Sequence, residues 1–186
     1  MSRRQSSGVL ALMVSAGLLL GGCGSPNSSS AQGSPSPSPS PSKAATIAAV
    51  DACSLVSADE ASSVAKTAVT SQVVNSGICI YGKSDGTASV LILAQAYPDA
   101  TAAAAVSPEQ LAASMNGAYG ISNAKPLSGV GDKAVEYTSS SPQGAGIVIF
   151  AFKANVVLML AVVPVADPSD STPIEKLAAT AVGRIH

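Results

Sequence analysis

Residues 146–163 read GIVIFAFKANVVLMLAVV, the most apolar part of the chain beyond its first two dozen residues. The stretch approaches the length of a membrane-spanning helix, but the polar break Lys153-Ala154-Asn155 divides it into two shorter runs. Both runs are rich in β-branched side chains, which favour strands. The pattern predicts two central strands, residues 147–152 and 156–163, joined in a hairpin.

The region after this hairpin is predicted to form the last helix. Thr172-Pro173-Ile174-Glu175 has the form of a capping box with proline at the first helical position. Before the hairpin, residues 133–137 are predicted as a strand, residues 139–144 as a turn and residues 120–131 as a loop. The last helix is expected to cover one face of the sheet, because apolar residues recur at helical spacing to the end of the chain: Ile174, Leu177, Ala178, Ala181, Val182 and Ile185.

Further upstream, the pattern predicts a helix, two strands and a helical region. Ser57-Ala58-Asp59-Glu60 is a capping box, and the helix it opens is expected to reach about Ala68 and to face inward with Val64, Ala65 and Ala68. Strands are predicted at residues 78–81 and 88–96, with Asp85-Gly86 as the hairpin signal between them. Residues 99–116 are predicted as two short helices or one kinked helix, with Pro108 at a second start and Asn116-Gly117 as the stop.

The element order is therefore α-β-β-α-β-β-β-α. Runs of adjacent strands favour antiparallel pairing, so the predicted fold class is α+β. The sheet is expected to have about five strands, with the helices packed against it. Residues 48–186 are long enough to form a single globular domain with its own core.

The N-terminus has the pattern of an exported protein. Arg3 and Arg4 precede a 12-residue apolar run, residues 9–20, which is too short to span a bilayer. Leu20-Gly21-Gly22-Cys23 follows and resembles the lipobox of bacterial lipoproteins, in which the cysteine is lipidated and becomes the mature N-terminus. We predict a signal peptide at residues 1–22 and lipidation of Cys23. An ordinary cleaved signal is the alternative, and the arginine pair leaves the export route open between general secretion and twin-arginine export.

Residues 23–47 are predicted to be the lipidated cysteine and a linker. The alternating Ser-Pro repeat from Ser34 to Ser42 favours polyproline II, giving a semi-rigid spacer on the order of 50 Å. The expected location is the outer face of the cell membrane, with the domain held there through Cys23. A glycosylated stalk is an alternative to a bare spacer.

Composition argues against several classes of partner. Removing Arg3 and Arg4 from ten basic residues leaves eight against eleven acidic ones, a net charge of −3. A weakly acidic surface disfavours nucleic acid, and a chain without Trp and with 3% aromatic residues has few flat rings on which bases or sugars stack. We therefore expect no nucleic-acid partner.

Cys53 and Cys79 remain once Cys23 is lipidated. Two cysteines in an oxidising compartment most simply form a disulfide bond. A redox pair would normally have the closer Cys-x-x-Cys spacing, and a metal site would lack imidazole ligands, because the sole histidine is the terminal His186.

No motif in the chain predicts catalysis. Residues 129–134, GVGDKA, fit the dinucleotide pattern G-x-G-x-x-A, but they leave a loop and enter a strand, whereas the fingerprint must open a helix. Gly120-Ile121-Ser122-Asn123-Ala124 faintly resembles a nucleophile elbow, yet no internal histidine exists to activate Ser122. We predict no catalytic residues, no metal and no cofactor, and therefore not an enzyme.

With these pieces placed, the chain resembles a domain of unknown function common in actinobacterial lipoproteins. The residues that carry the likeness are DACSLVS at 51–57, GICIY at 77–81, GVGDKA at 129–134 and the C-terminal helix around Leu177-Ala178. The resemblance implies that the two cysteines pair, and it implies no reaction.

The predicted function is that of a membrane-anchored extracytoplasmic lipoprotein, a non-catalytic binding or accessory module of the cell envelope. Its expected partners are the membrane, through Cys23, and an envelope protein. The alternative is a carrier of an apolar or lipid-like ligand, held in a cavity between sheet and helices. A large apolar pocket would favour the carrier, and a flat exposed patch would favour the partner module.

Overall fold

The described residues form one seven-stranded antiparallel sheet with helices on both faces. The computed structural model describes residues 49–85, 88–165 and 167–186, which belong to one compact unit, Lys43–His186. The α+β class is confirmed. The elements in chain order are a 3-10 turn (Ala52–Ser54), α1 (Ala58–Ala65), β1 (Thr70–Asn75), β2 (Ile78–Gly82), β3 (Ala88–Ala96), α2 (Ala100–Ala104), α3 (Pro108–Tyr119), β4 (Ser122–Leu127), β5 (Lys133–Ser141), β6 (Gly144–Lys153), β7 (Val156–Val162) and α4 (Thr172–Gly183).

The predicted central hairpin is confirmed as β6 and β7. The strand order is β1-β2-β3-β7-β6-β5-β4, so β7 lies in the middle of the sheet with β6 beside it. All seven residues of β7 are buried. Both faces of these strands are covered, which explains why their sequence is continuously apolar and does not alternate with polar residues.

The sheet has a separate apolar core on each face. On one face, Ile149, Leu158 and Leu160 pack with residues of the 3-10 turn, α1 and α4. On the other, Phe150 and Met159 pack with residues of α2 and α3. The prediction that the last helix covers the sheet is confirmed, since α4 buries Ile174, Leu177, Ala178, Ala181 and Val182.

The predicted count of about five strands is wrong, because the sheet has two further strands at its edges. Thr70–Asn75 forms β1, and Ser122–Leu127, which was predicted as loop, forms β4. Neither edge strand has a buried residue, so neither shows the alternation of apolar and polar residues that marks a strand in sequence. The β5 strand also extends to Ser141, which leaves only Pro142 and Gln143 in the turn.

Several helix boundaries differ from the prediction. The capping box of α1 is confirmed, but the helix ends at Ala65 with Lys66 in the left-handed conformation. Ala61 is buried, and Val64 and Ala65 pack partly buried against the same core, as predicted. Ala68 lies beyond the helix and is exposed. Residues 99–116 form two helices, and the second runs past Asn116-Gly117 to Tyr119, where Gly120 supplies the positive φ of the C-terminal cap.

The start of α4 also differs from the predicted capping box. Thr172 is its first helical residue and not its cap. Ser171 occupies the N-cap position, where its side chain makes no capping bond to the backbone. Its hydroxyl instead donates to Glu175 Oε1 at 2.8 Å.

Residues 129–132 form a turn that leads into β5 and contacts the central hairpin, so the prediction that the stretch 129–134 leaves a loop and enters a strand is confirmed. Gly131 has a φ of +65°, and a side chain there would place its Cβ 2.4 Å from the carbonyl oxygen of Phe152. The Asp132 carboxylate accepts the Ala154 backbone N–H at 2.8 Å and lies 3.5 Å from Lys153 Nζ. The glycine is therefore required by close backbone approach, and the aspartate supports the turn between β6 and β7.

Helices α1 and α4 are joined by a bidentate ion pair. Arg184 donates to Glu60 Oε1 at 2.7 Å and to Oε2 at 2.8 Å, and it also donates to the carbonyl of Leu55 at 2.8 Å. The Arg184 hydrogen bonds, followed by the Ser57 backbone N–H, lower the pKa of Glu60 to about 2. Glu60 thus both caps α1 and links it to the end of the chain.

We expect Glu60→Gln to lower the free energy of unfolding at pH 7 by about 1–2 kcal/mol, a figure reduced for the partial exposure of the pair. The folded pKa is depressed, so the stabilisation is present above the ordinary value of 4.5 and is lost as pH falls toward 2. Urea unfolding across this window should give a flatter pH profile for the variant. Asp59→Asn, in the first turn of the same helix but exposed, is the matched control. Parallel profiles for wild type and Glu60→Gln would contradict the assignment.

Candidate functional site

Four aliphatic side chains of β2 and β3 form an incompletely covered patch on the sheet. Ile78 lies opposite Leu93, and Ile80 lies opposite Leu91. Their strand neighbours, among them the fully buried Cys79, point to the other face, where the 3-10 turn packs. All four side chains of the patch are only half-buried. We call this patch, Ile78, Ile80, Leu91 and Leu93, the open face.

The open face results from the placement of the two middle helices. Helix α3 packs on β5, and α2 packs on β6 and β7. On those strands the residues of the same face are buried, including Val148, Phe150 and Met159. Within the described ranges, Ile78 and Ile80 join neither buried cluster of the domain. The two helices therefore cover one half of this face and leave the half formed by β2 and β3 accessible.

The surroundings of the open face are uncharged or apolar. Leu91 and Leu93 pack at the border of the same cluster as the half-buried Val106, Leu111 and Met115 of the helical region. On the other side, β1 places Gln72 opposite Ile80, so Gln72 shares this face. The helices form a wall on one side, and the sheet continues to the edge strand β1 on the other. Such a surface can bind apolar groups, and it offers no group for proton transfer.

The edge strand β1 carries the most exposed large apolar side chains of the described chain. Val73 is 67% exposed and Val74 is 57% exposed. Val73 lies opposite Cys79 and is therefore on the face of the 3-10 turn. Val73 therefore lies on the opposite side of the sheet from the open face and is not part of that patch.

A second group of interest is the partly buried polar cluster of Lys125, Glu136, Ser171 and Glu175. Lys125 Nζ lies 2.7 Å from Glu175 Oε1 and 3.6 Å from Glu136 Oε1. Lys125 also donates to the Ser171 hydroxyl at 3.3 Å. Glu136 is 6% exposed, and its Oε2 atom is buried with no hydrogen-bond partner among the described residues.

Burial raises the pKa of Glu136, against the lowering effects of Ser171 and Lys125. Glu175 has the opposite shift, because the hydrogen bond from Lys125 lowers its pKa. The cluster attaches the start of α4 to the edge formed by β4 and β5. The sequence prediction missed it because its members are distant along the chain. The available signal was a glutamate between apolar residues in a predicted strand, at an inward position shared with Ala134.

Of the predicted site residues, the two domain cysteines are brought together. Cys53 and Cys79 form a disulfide with a Cα–Cα distance of 5.1 Å. The bond ties the 3-10 turn to β2, which confirms the predicted pairing. Tyr81 supports the same junction, since its hydroxyl hydrogen-bonds the carbonyls of Val56 and Cys53. Cys23 lies outside the described residues, so its lipidation stays a prediction, as do the signal peptide and the linker.

Asp99 and Ser122 both have structural roles. Asp99 caps α2 by accepting the Ala102 backbone N–H at 2.8 Å. Ser122 of the elbow-like stretch begins β4 and its hydroxyl lies 3.2 Å from that of Thr138. Among the described residues, no three histidine, cysteine or acidic side chains are grouped so as to hold a metal ion.

In the part of the chain that the structure describes, no helix has the length and apolar character needed to cross a membrane. Comparison with protein-family models and with curated proteins finds no match to this chain. The function proposed for this protein therefore rests on its own residues and their geometry.

Proposed function

We propose that this protein is a membrane-anchored extracytoplasmic lipoprotein whose folded domain is a non-catalytic binding module of the cell envelope. The proposed anchor is Cys23, which resembles a lipobox cysteine, and the proposed binding surface is the open face. The observation that carries the proposal is the half-burial of Ile78, Ile80, Leu91 and Leu93 on a sheet whose other apolar faces are covered. A folded protein keeps such a surface when a partner covers it.

The chemistry of the surface supports a partner with aliphatic groups. The open face and its neighbours Gln72 and Gln95 carry no charge, so electrostatic attraction contributes little and burial of apolar area drives the contact. The open face is bounded by helices on one side only, which favours a protein partner over an enclosed small molecule. Helix α4 packs closely on the sheet, with Ala178 and Ala181 fully buried. A carrier would need a cavity between sheet and helix, so this packing also favours the binding module.

The test is photo-crosslinking in intact cells with benzoylphenylalanine introduced at Ile80, and at the exposed Lys176 of α4 as the control position. We expect a discrete protein adduct at position 80 that is absent at position 176 and is reduced by Leu93→Thr. Leu93→Thr removes apolar area from the open face. An adduct of lipid mass at position 80 would contradict the binding-module function and support the carrier of an apolar ligand. Equal labelling at both positions would overturn both functions.

A further inference from the structure

We propose that a second copy of this chain pairs edge to edge with β1, so that two open faces join into one trough. The proposal rests on the contrast between the two edges of the sheet and on the single wall of the open face. What the trough binds rests on the function proposed above. The strand pairing does not, because it depends only on the β1 edge.

The β4 edge is built in a way that opposes strand addition. It carries Lys125 and Pro126, and its register is irregular between Ser122 and Lys125. Asn123 also has a φ of +54°, which interrupts the extended backbone. A charge, a proline and an irregular register are the features by which proteins protect exposed strand edges.

The β1 edge has neither a charge nor a proline. Its sequence, TSQVVN, contains no ionisable residue, and all six residues are exposed. Residues 70–73 pair with β2 in regular register, and the irregularity falls beyond them, between Val73 and Asn75. Two copies can therefore approach at this edge without placing like charges opposite each other. An uncharged strand with β-branched residues is suited to strand addition.

Antiparallel pairing of two identical β1 edges relates the two copies by a two-fold axis. The two-fold axis stands perpendicular to the sheet, so the same face of both copies points to the same side. The open faces then form one continuous floor across β3, β2 and β1 of each copy. Each copy supplies one wall from α2 and α3, and the half-walled surface of the monomer becomes a trough with two walls. The binding surface is thus incomplete in one copy.

The contact also fits a protein held on a membrane. A six-residue strand pair buries less area than the roughly 1,200 Å² of a standard stable interface, so the pairing is weak between freely diffusing copies. Attachment to one membrane raises the effective concentration of the copies relative to each other, so pairing is favoured without any additional contact. The proposed anchor at Cys23 would supply this confinement.

The test uses the full membrane-attached chain with single cysteines on the two edges. Ser71→Cys on β1 and Ser122→Cys on β4 are matched, because both change an exposed serine on an edge strand. A short bifunctional thiol reagent should link two copies at position 71 and leave position 122 at the background of the unsubstituted chain. Equal linking at the two positions, or linking at neither, would overturn the pairing. A link from position 71 to a different protein would overturn the choice of a second copy.

A variant with an added charge on β1 distinguishes specific strand pairing from chance collision of two copies during crosslinking. Gln72→Lys places like charges near each other across the two-fold axis and should lower the linked fraction of Ser71→Cys about fivefold. Gln143→Lys, in the exposed turn between β5 and β6, should leave it unchanged. If Gln72→Lys has no effect, the pairing is wrong. Because Gln72 shares the face of Ile80, the crosslink at Ile80 is measured without Gln72→Lys, and it then reports on the proposed binding function independently of the linking at position 71.

Discussion

Removal of the Cys53–Cys79 disulfide is expected to lower the free energy of unfolding by about 3.5 kcal/mol. The bond spans 26 residues, and closing a loop of that length removes entropy from the unfolded chain. The loop includes α1 and β1, so the bond restrains the whole N-terminal part of the domain. The change is measured by urea unfolding of the full chain with Cys53→Ala and Cys79→Ala combined.

Two controls make this prediction specific. Reduction of the wild-type disulfide opens the same bond without changing a side chain, so its effect should agree with that of the double variant. Tyr81→Phe removes the hydroxyl that bonds Val56 and Cys53 but leaves the disulfide, and it should cost about 1–2 kcal/mol. If the double variant unfolds within about 1 kcal/mol of wild type, the loop entropy account is wrong. Peptide mapping of the unreduced protein should recover the two cysteines linked.

The central part of the fold was predictable from sequence because burial leaves a direct signal there. The strands β6 and β7 are apolar without interruption, since both of their faces are covered, and the break at Lys153-Ala154-Asn155 marks the turn. The starts of α1 and α3 were also predictable from sequence. Each helix has a serine at its N-cap, Ser57 or Ser107, which accepts the backbone N–H three residues later.

The edge strands β1 and β4 were not predictable by the same reasoning. An edge strand needs no alternating pattern, because its side chains bury little and its backbone bonds are supplied by one neighbour. Ser122–Leu127 even contains a proline, which argues against a strand in sequence but is tolerated at an edge. These strands exist because β2 and β5 offer pairing partners, which is information from the fold and not from the segments themselves.

The open face could not be predicted for a related reason. The sequence identifies Ile78, Ile80, Leu91 and Leu93 as strand residues of apolar type, which predicts burial. Their actual exposure depends on where α2 and α3 pack, and those helices lie over β5, β6 and β7. The polar cluster around Glu136 likewise arises from strands and a helix that meet only in the folded chain. A candidate surface in this protein is thus defined by what is left uncovered.

Replacing Cys23 with alanine is expected to move the protein from the membrane fraction to the soluble fraction. Each buried methylene of an acyl chain contributes about 0.8 kcal/mol, so a cysteine with two or three chains holds the domain firmly, and its loss removes the anchor entirely. Detergent phase partition of intact cells measures the change. Ser25→Ala, two residues further on, leaves the cysteine in place and should stay in the detergent phase.

The outcome at Cys23 also bears on the trough. Full retention of Cys23→Ala in the membrane would contradict the lipoprotein hypothesis. Release of the variant would support the hypothesis and should also reduce the linking of Ser71→Cys copies, because confinement to the membrane no longer concentrates them. The linking in the released variant should then recover as protein concentration is raised, since the β1 edge itself is unchanged. Anchor and edge would in that case act in sequence, with the first concentrating the copies and the second orienting them.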